Sequence, residues 1–183
     1  MLMRSQLRAL IVERSLRRGE FVLSSGKRSS YYIDARLTTM SGAGQKLIGE
    51  LGLERLDQTG WKVRSIGGLT LGADPVAYAI AHTAALRGRE LDAFTVRKEA
   101  KVHGTGKLIE GVFEAGWTVA VIEDTITTGD SALRAVHAVR EAGGSPAGVF
   151  ALVDRQEGGA ERISAEGLPV VALFTAAELL GSG

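Results

Sequence analysis

Trp117-Thr118-Val119-Ala120-Val121-Ile122-Glu123-Asp124-Thr125-Ile126-Thr127-Thr128-Gly129-Asp130-Ser131 carries the strongest structural signal in the chain. Val119 to Ile122 is apolar and uncharged, which predicts a short strand buried on both faces, as in a parallel sheet. The strand is expected to stop at two adjacent carboxylates, Glu123 and Asp124. Small hydroxyl residues and Gly129 follow. Asp130 or Ser131 then stands where a helix cap is needed, ahead of Ala132, Ala135, Val136 and Val139 at helical spacing. The pattern is strand, tight polar turn and helix, with the turn at the carboxyl end of the strand.

The same rhythm extends in both directions. Val63 to Gly67 predicts a strand, Gly67 to Gly72 a glycine-rich turn, and Asp74-Pro75 the start of a helix running to about Leu86. Further strands are expected at Phe94 to Val96, Val149 to Val153 and Val170 to Phe174. Strands separated by helices argue an α/β fold, a parallel sheet with helices on both faces. Upstream, Leu7, Leu10, Ile11 and Arg14 place a helix over Ser5 to Arg17, ended by Arg18-Gly19. Two short apolar runs from Glu20 to Asp34, around Ser24-Ser25-Gly26-Lys27, read as a hairpin, and a helix is expected over Gly42 to Leu56. With no repeat or linker, residues 1–183 read as one domain. Its core spans about 42–155, and a small hood, from about 1–40 plus the C-terminal tail, covers the carboxyl edge of the sheet, where such folds bind ligands.

Composition narrows the functional classes. A chain of 183 residues suits a single core, and 45% hydrophobic with 23% charged residues is ordinary for a globular protein. The net charge of +1 gives no general pull toward nucleic acid or membrane. No apolar run approaches a membrane span, and the N-terminal segment, with Arg4, Arg8, Glu13 and Arg14, lacks a signal-peptide core. Absence of cysteine excludes disulfides, thiol catalysis and cysteine-held metals, and makes a cytoplasmic setting the expectation. His82, His103 and His137 are too far apart in sequence to form a metal-ligand pattern.

The polar turn is suited to a phosphate. Unpaired backbone N–H groups and the dipole at a helix start attract an anion. Thr127, Thr128 and Ser131 add hydroxyls, and Gly129 lets the backbone come close. Glu123 and Asp124 would repel that phosphate, so they must face something else, and a ribose diol that donates hydrogen bonds fits. A second segment, Arg97-Lys98-Glu99-Ala100-Lys101-Val102-His103-Gly104-Thr105-Gly106-Lys107, crowds cations into a glycine-containing loop. Such a loop is what a pyrophosphate leaving group needs, since it neutralises charge and excludes water on closing.

Val121 to Ser131 resembles the phosphoribosyl pyrophosphate (PRPP) motif of the type I phosphoribosyltransferases. Within that family, Arg97 to Gly104 is similar to the catalytic loop of the orotate phosphoribosyltransferases. Ser25-Gly26-Lys27-Arg28-Ser29 with Tyr32 and Asp34, and Val153-Asp154-Arg155, resemble other segments of the same branch. The likeness spans about Phe21 to Arg155 and implies the type I phosphoribosyltransferase fold. It further implies magnesium-dependent transfer of the 5-phosphoribosyl group from PRPP to orotate, giving orotidine 5′-monophosphate and pyrophosphate.

By that resemblance, Glu123 and Asp124 hold the ribose hydroxyls, Thr127, Thr128, Gly129, Asp130 and Ser131 cradle the 5′-phosphate, and Thr125 and Ile126 belong to the same PRPP-binding run. Arg97, Lys98, Lys101 and His103 meet the pyrophosphate, with Lys101 and Asp124 the catalytic pair. Arg155, Lys27 and Thr127 meet orotate, a guanidinium fork suiting its carboxylate. Mg2+ is implied on pyrophosphate oxygens and water, with no direct protein ligand. A homodimer is implied as well, the 97–107 loop reaching the neighbouring active site. Two positions depart from the pattern: many members carry lysine where Ser24 stands and another within Leu71-Gly72-Ala73. A purine-base enzyme of the same superfamily and a PRPP-sensing regulator without catalysis are the alternatives.

Overall fold

The structure is a computed structural model that describes residues 2–22, 26, 28–99 and 107–181. In chain order it runs through α1 (Leu2–Arg14), β1 (Leu16–Val22), β2 (Arg28–Ile33), α2 (Arg36–Thr39) and α3 (Gly42–Gln58). It continues with β3 (Ser65–Leu69), α4 (Ala73–Leu86), β4 (Asp92–Val96), β5 (Ile109–Gly111) and β6 (Thr118–Ile126). The chain closes with α5 (Asp130–Glu141), β7 (Ser145–Asp154), α6 (Gly159–Ala165), β8 (Val170–Thr175) and α7 (Ala176–Leu180).

β1 and β2 pair antiparallel as the expected hairpin. The main sheet has six strands in the order β5-β4-β3-β6-β7-β8, parallel throughout except for the antiparallel edge pair β4–β5. Along β6, Ala120 and Ile122 enter one core with Ile48, Leu53 and Ile80 of α3 and α4. Val119 and Val121 enter a second with Val136 and Val139 of α5. On β7, Phe150 and Leu152 divide from Val149 and Ala151 in the same way. Alternation with both faces buried is why these strands read as unbroken apolar runs. The α/β architecture with helices on both faces is therefore as the sequence predicts.

The strand ends differ from expectation, for identifiable reasons. β6 does not stop at the acids, because its ladder with β7 continues through Glu123↔Ala151, Thr125↔Val153 and Ile126↔Asp154. α1 ends at Arg14, since Leu16, Arg17 and Arg18 pair with Ile33, Tyr32 and Tyr31 on β2. Gly67 and Gly68 belong to β3 and not to the following turn. A Cβ on Gly67 would lie 2.0 Å from the Phe94 carbonyl oxygen and one on Gly68 2.0 Å from that of Ile122, so only glycine lets β3 lie this close to both neighbours. The turn itself narrows to Thr70 to Gly72.

Topology then places the ligand edge. β3 has β4 on one side and β6 on the other, so the strand order reverses between β3 and β6. At such a reversal the loops leaving adjacent carboxyl ends diverge and open a crevice. The 70–72 turn and the 127–129 turn leave from these two strands. The β1–β2 pair and α2 contribute Phe21, Val22 and residues 32–36 to the same crevice. α1 supports them from behind, with Leu7 and Ile11 fully buried and Arg8 donating from Nε and Nη2 to the Glu178 carbonyl of α7.

Candidate active site

The crevice is a cleft of about 880 Å3 that gathers residues far apart in the chain. Of the predicted site residues, Lys98, Glu123, Asp124, Thr125, Thr127, Thr128, Asp130, Ser131 and Arg155 line it. Ile126 and Gly129 help to wall a contiguous hollow of about 40 Å3 running from Thr125 to Ala132. Arg97 is not part of the lining and pairs with Glu110 at 3.8 Å. Lys27, Lys101 and His103 lie outside the described residues.

Glu123 and Asp124 are brought into the cleft by the last ladder pairs of β6. Glu123 is only 5% exposed, and its Oε2 has no hydrogen-bond partner among the described residues. Burial, then the neighbouring Asp124 charge, pushes its carboxyl well above the usual carboxylate range. Burial also raises Asp124, partly offset by hydrogen bonds from Glu123 and from the Thr125 N–H, which reaches Oδ1 at 2.7 Å. A buried carboxyl with an unused acceptor beside a half-buried one can accept from a hydroxyl-bearing ligand. They are also close-packed: a Cβ on Gly72 would sit 2.7 Å from Asp124 Oδ1.

The phosphate-type turn has a different start from the one predicted. The N-cap of α5 is Gly129 at φ 82, a left-handed conformation suited to glycine, and no side chain caps the helix. Asp130 is the first helical residue; its carboxylate accepts from Thr128 Oγ1 at 2.7 Å and from Arg162. Those two donors, the hydroxyl first, hold the Asp130 carboxyl below its usual range. Arg162 also donates to the Thr128 carbonyl at 3.2 Å. Gly159 presses on the turn so tightly that a Cβ there would lie 2.4 Å from the Thr127 carbonyl oxygen. α6, unanticipated from sequence, is the brace behind the loop.

Arg155 closes the other end. Its backbone N–H donates to the Ile126 carbonyl at 3.0 Å, tying the end of β7 to β6. The side chain is buried, with its guanidinium 4.7 Å from the Tyr31 ring centre, Nη2 at 2.7 Å from Glu157 Oε1 and 3.4 Å from Ser29 Oγ. Nε has no partner among the described residues.

The 70–72 turn is fixed from below by Asp74, which accepts from Thr70 Oγ1 at 2.7 Å and Thr95 Oγ1 at 2.8 Å. Thr95 has spent its one proton on Asp74, so Tyr78 must donate to Thr95 across their 2.6 Å contact. Sequence reasoning placed Asp74 only as a helix start, and it missed Glu157 and Arg162 altogether. None carries a local signal; each matters through a partner distant in sequence or a turn that folds it back. His82 and His137 are exposed and take no part in the cleft.

Comparison with known proteins follows the same direction. No protein-family model matches the chain. It is 48% identical over 183 residues to the orotate phosphoribosyltransferase of Aquifex aeolicus (strain VF5), covering 98% of this chain and 99% of that one. The crystal structure of Mycobacterium tuberculosis H37Rv orotate phosphoribosyltransferase in complex with Fe(III) dicitrate is 47% identical with a TM-score of 0.85, covering 97% of this chain and 98% of that chain. The same organism's enzyme in complex with PRPP is 45% identical with a TM-score of 0.80, again covering 97% and 98%.

Proposed function

The chain belongs to the orotate phosphoribosyltransferase family, the pentosyltransferases of pyrimidine biosynthesis, and from that premise we propose how its own residues bind PRPP and orotate. The observation that carries the assignment is the meeting, in one cleft, of an unsaturated acid pair, a glycine-started helix turn and a buried arginine. Glu123 and Asp124 accept from the ribose diol. The N–H groups and hydroxyls of Thr127 to Ser131 grip the 5′-phosphate. Arg155 receives the orotate carboxylate, with Thr127 and Lys27 on the same base.

Breaking the C1–O bond leaves a positively charged ribose and a pyrophosphate. The acid pair beside the sugar opposes the positive charge, and Lys98 with Arg97, Lys101 and His103 opposes the negative one, Lys101 being the most rate-critical. Among the described residues no group of three or more histidine, aspartate or glutamate side chains is arranged to hold a metal ion. In this proposal magnesium would be held mainly by PRPP and water, with no direct protein ligand. When bound it neutralises leaving-group charge. Incubation with PRPP, magnesium and orotate, followed by loss of orotate absorbance with adenine and guanine as controls, tests the assignment; purine use without orotate use would refute it.

Two milder predictions follow from the geometry. Burial raises the Glu123 carboxyl, and a diol that donates to the acid pair favours its ionised form, so PRPP affinity should rise as pH climbs through the raised range of Glu123. Calorimetry across pH checks this, and Glu123→Gln should flatten the part of the profile not due to PRPP phosphates. Arg162→Ala, which unties α6 from the phosphate turn, should raise the KM for PRPP by about two- to fivefold with kcat little changed, as for loss of an exposed ion pair.

A homodimer is part of the same proposal. Leu37, Met40, Leu71 and Tyr78 stay 48% to 53% exposed on α2, its C-cap, the 70–72 turn and α4. These elements adjoin one another through Gln45, whose amide donates to the carbonyls of Thr39 and Pro75. Exposed apolar side chains on adjoining elements are what a second copy would cover. Sedimentation should give twice the chain mass. Among the described residues no helix is long and apolar enough to cross a membrane, in keeping with the proposed cytoplasmic setting.

A further inference from the structure

Among the described residues, Glu157 is the carboxylate that pairs with the arginine proposed above for orotate. It gets there by an unusual backbone step. Gln156 adopts φ 58, rare for a residue with a Cβ, and is held so by its N–H on Asp154 Oδ1 at 2.8 Å and its own Oε1 on the Ala177 N–H at 3.2 Å. Residues at 155 and 157 are thereby folded onto one another, and Glu157 Oε1 comes to 2.7 Å from Arg155 Nη2. The Glu157 side chain remains 25% exposed on the cleft wall, while that of Arg155 is 4% exposed.

The contact leaves the guanidinium half used. Nε and Nη2 share the edge that grips a carboxylate with two parallel hydrogen bonds. Glu157 engages Nη2, yet Nε is buried and unpartnered. Tyr31, with its ring centre 4.7 Å from the guanidinium, and Ser29 at 3.4 Å hold the group in the cleft wall. A planar carboxylate arriving from the cleft would satisfy both nitrogens, and Glu157 would have to yield Nη2.

We propose that Glu157 is a built-in stand-in for the substrate carboxylate: it neutralises Arg155 in the empty site, orotate displaces it, and that competition sets orotate affinity. The proposal rests on the reading of Arg155 as the orotate arginine. A second consequence concerns selectivity. A neutral pyrimidine such as uracil, lacking the carboxylate, leaves the Arg155–Glu157 pair intact and so incurs no penalty for an unpaired buried cation. Without the Glu157 charge, uracil would strand Arg155, and discrimination in favour of orotate would increase.

The test is Glu157→Gln, which keeps size and a carbonyl acceptor but removes the charge. Calorimetric titration with orotate and with uracil, run on wild type, Glu157→Gln, Arg155→Gln and the double variant, separates the contributions. Orotate should bind Glu157→Gln roughly three- to tenfold tighter, the scale of a partly exposed ion pair, while uracil binds no tighter. In the Arg155→Gln background the same substitution should have no effect on orotate. Unchanged or weaker orotate binding by Glu157→Gln, or an equal gain for uracil, overturns the proposal. If Arg155→Gln alone leaves orotate binding intact, the underlying Arg155 assignment fails first. The uracil arm keeps the test decisive should Arg155→Gln not fold.

Discussion

An Arg155→Ala variant is expected to lose roughly 10²- to 10³-fold in kcat/KM for orotate while its KM for PRPP stays within about threefold, the usual range for truncating one member of a buried charge pair. The asymmetry comes from placement. Arg155 sits just after β7 against Tyr31 and Ser29, whereas the groups proposed for the ribose and 5′-phosphate of PRPP leave from β6 and the turn after it. Truncation removes the fork that receives the carboxylate and also leaves Glu157 facing the same space. Steady-state kinetics at saturating PRPP, with a thermal melt beside them, check the prediction. Parallel losses for orotate and PRPP would mean that Arg155 holds up the cleft instead of reading the base.

Asp124→Asn and Glu123→Gln are each expected to weaken PRPP binding about ten- to hundredfold, as for lost hydrogen bonds to a charged group. At the same time they should stabilise the ligand-free protein. The sign follows from burial. Glu123 has a folded-state pKa raised above its ordinary value of 4.5, first by burial and then by Asp124. Between those two values the folded chain binds more protons than the unfolded one, so stability falls as pH rises and the loss is complete above the window. Glutamine at 123 removes that loss. Melts at pH 5 and pH 8 should therefore show a larger gain for Glu123→Gln at the higher pH, each kcal/mol appearing as about 2–4 °C in a chain of this length. A variant that is less stable at pH 8 and still binds PRPP normally would sink both the electrostatics and the diol assignment. The acid pair is a case in which the ligand's needs and the fold's needs oppose one another.

Much of the candidate site was legible because its residues are contiguous. Residues 119–131 contain a strand, two acids and a phosphate-type turn in one run, and period and composition suffice to read them. What failed was detail that depends on a neighbour. Glu123 and Asp124 look like a strand's end in sequence, but pairing with Ala151 and Val153 on β7 carries the ladder past them. Asp130 looks like a cap, yet Arg162 and Thr128 claim its carboxylate and Gly129 begins the helix. The turn expected from Gly67 begins only at Thr70, because Gly67 and Gly68 lie within β3 and are there for close strand approach.

Sequence alone determined the layer class and the chemistry of the central loop, since hydrophobic period and local residue order act over a few neighbours and need no tertiary partner. Tertiary structure alone decided which groups face one another. Gly72 lies against the Asp124 carboxylate, and α6 braces a turn some thirty residues before it. Arg155 is paired with Glu157 only because Gln156 takes a left-handed turn. Such pairings depend on backbone direction and strand order, and a linear pattern of residue types does not encode either one locally.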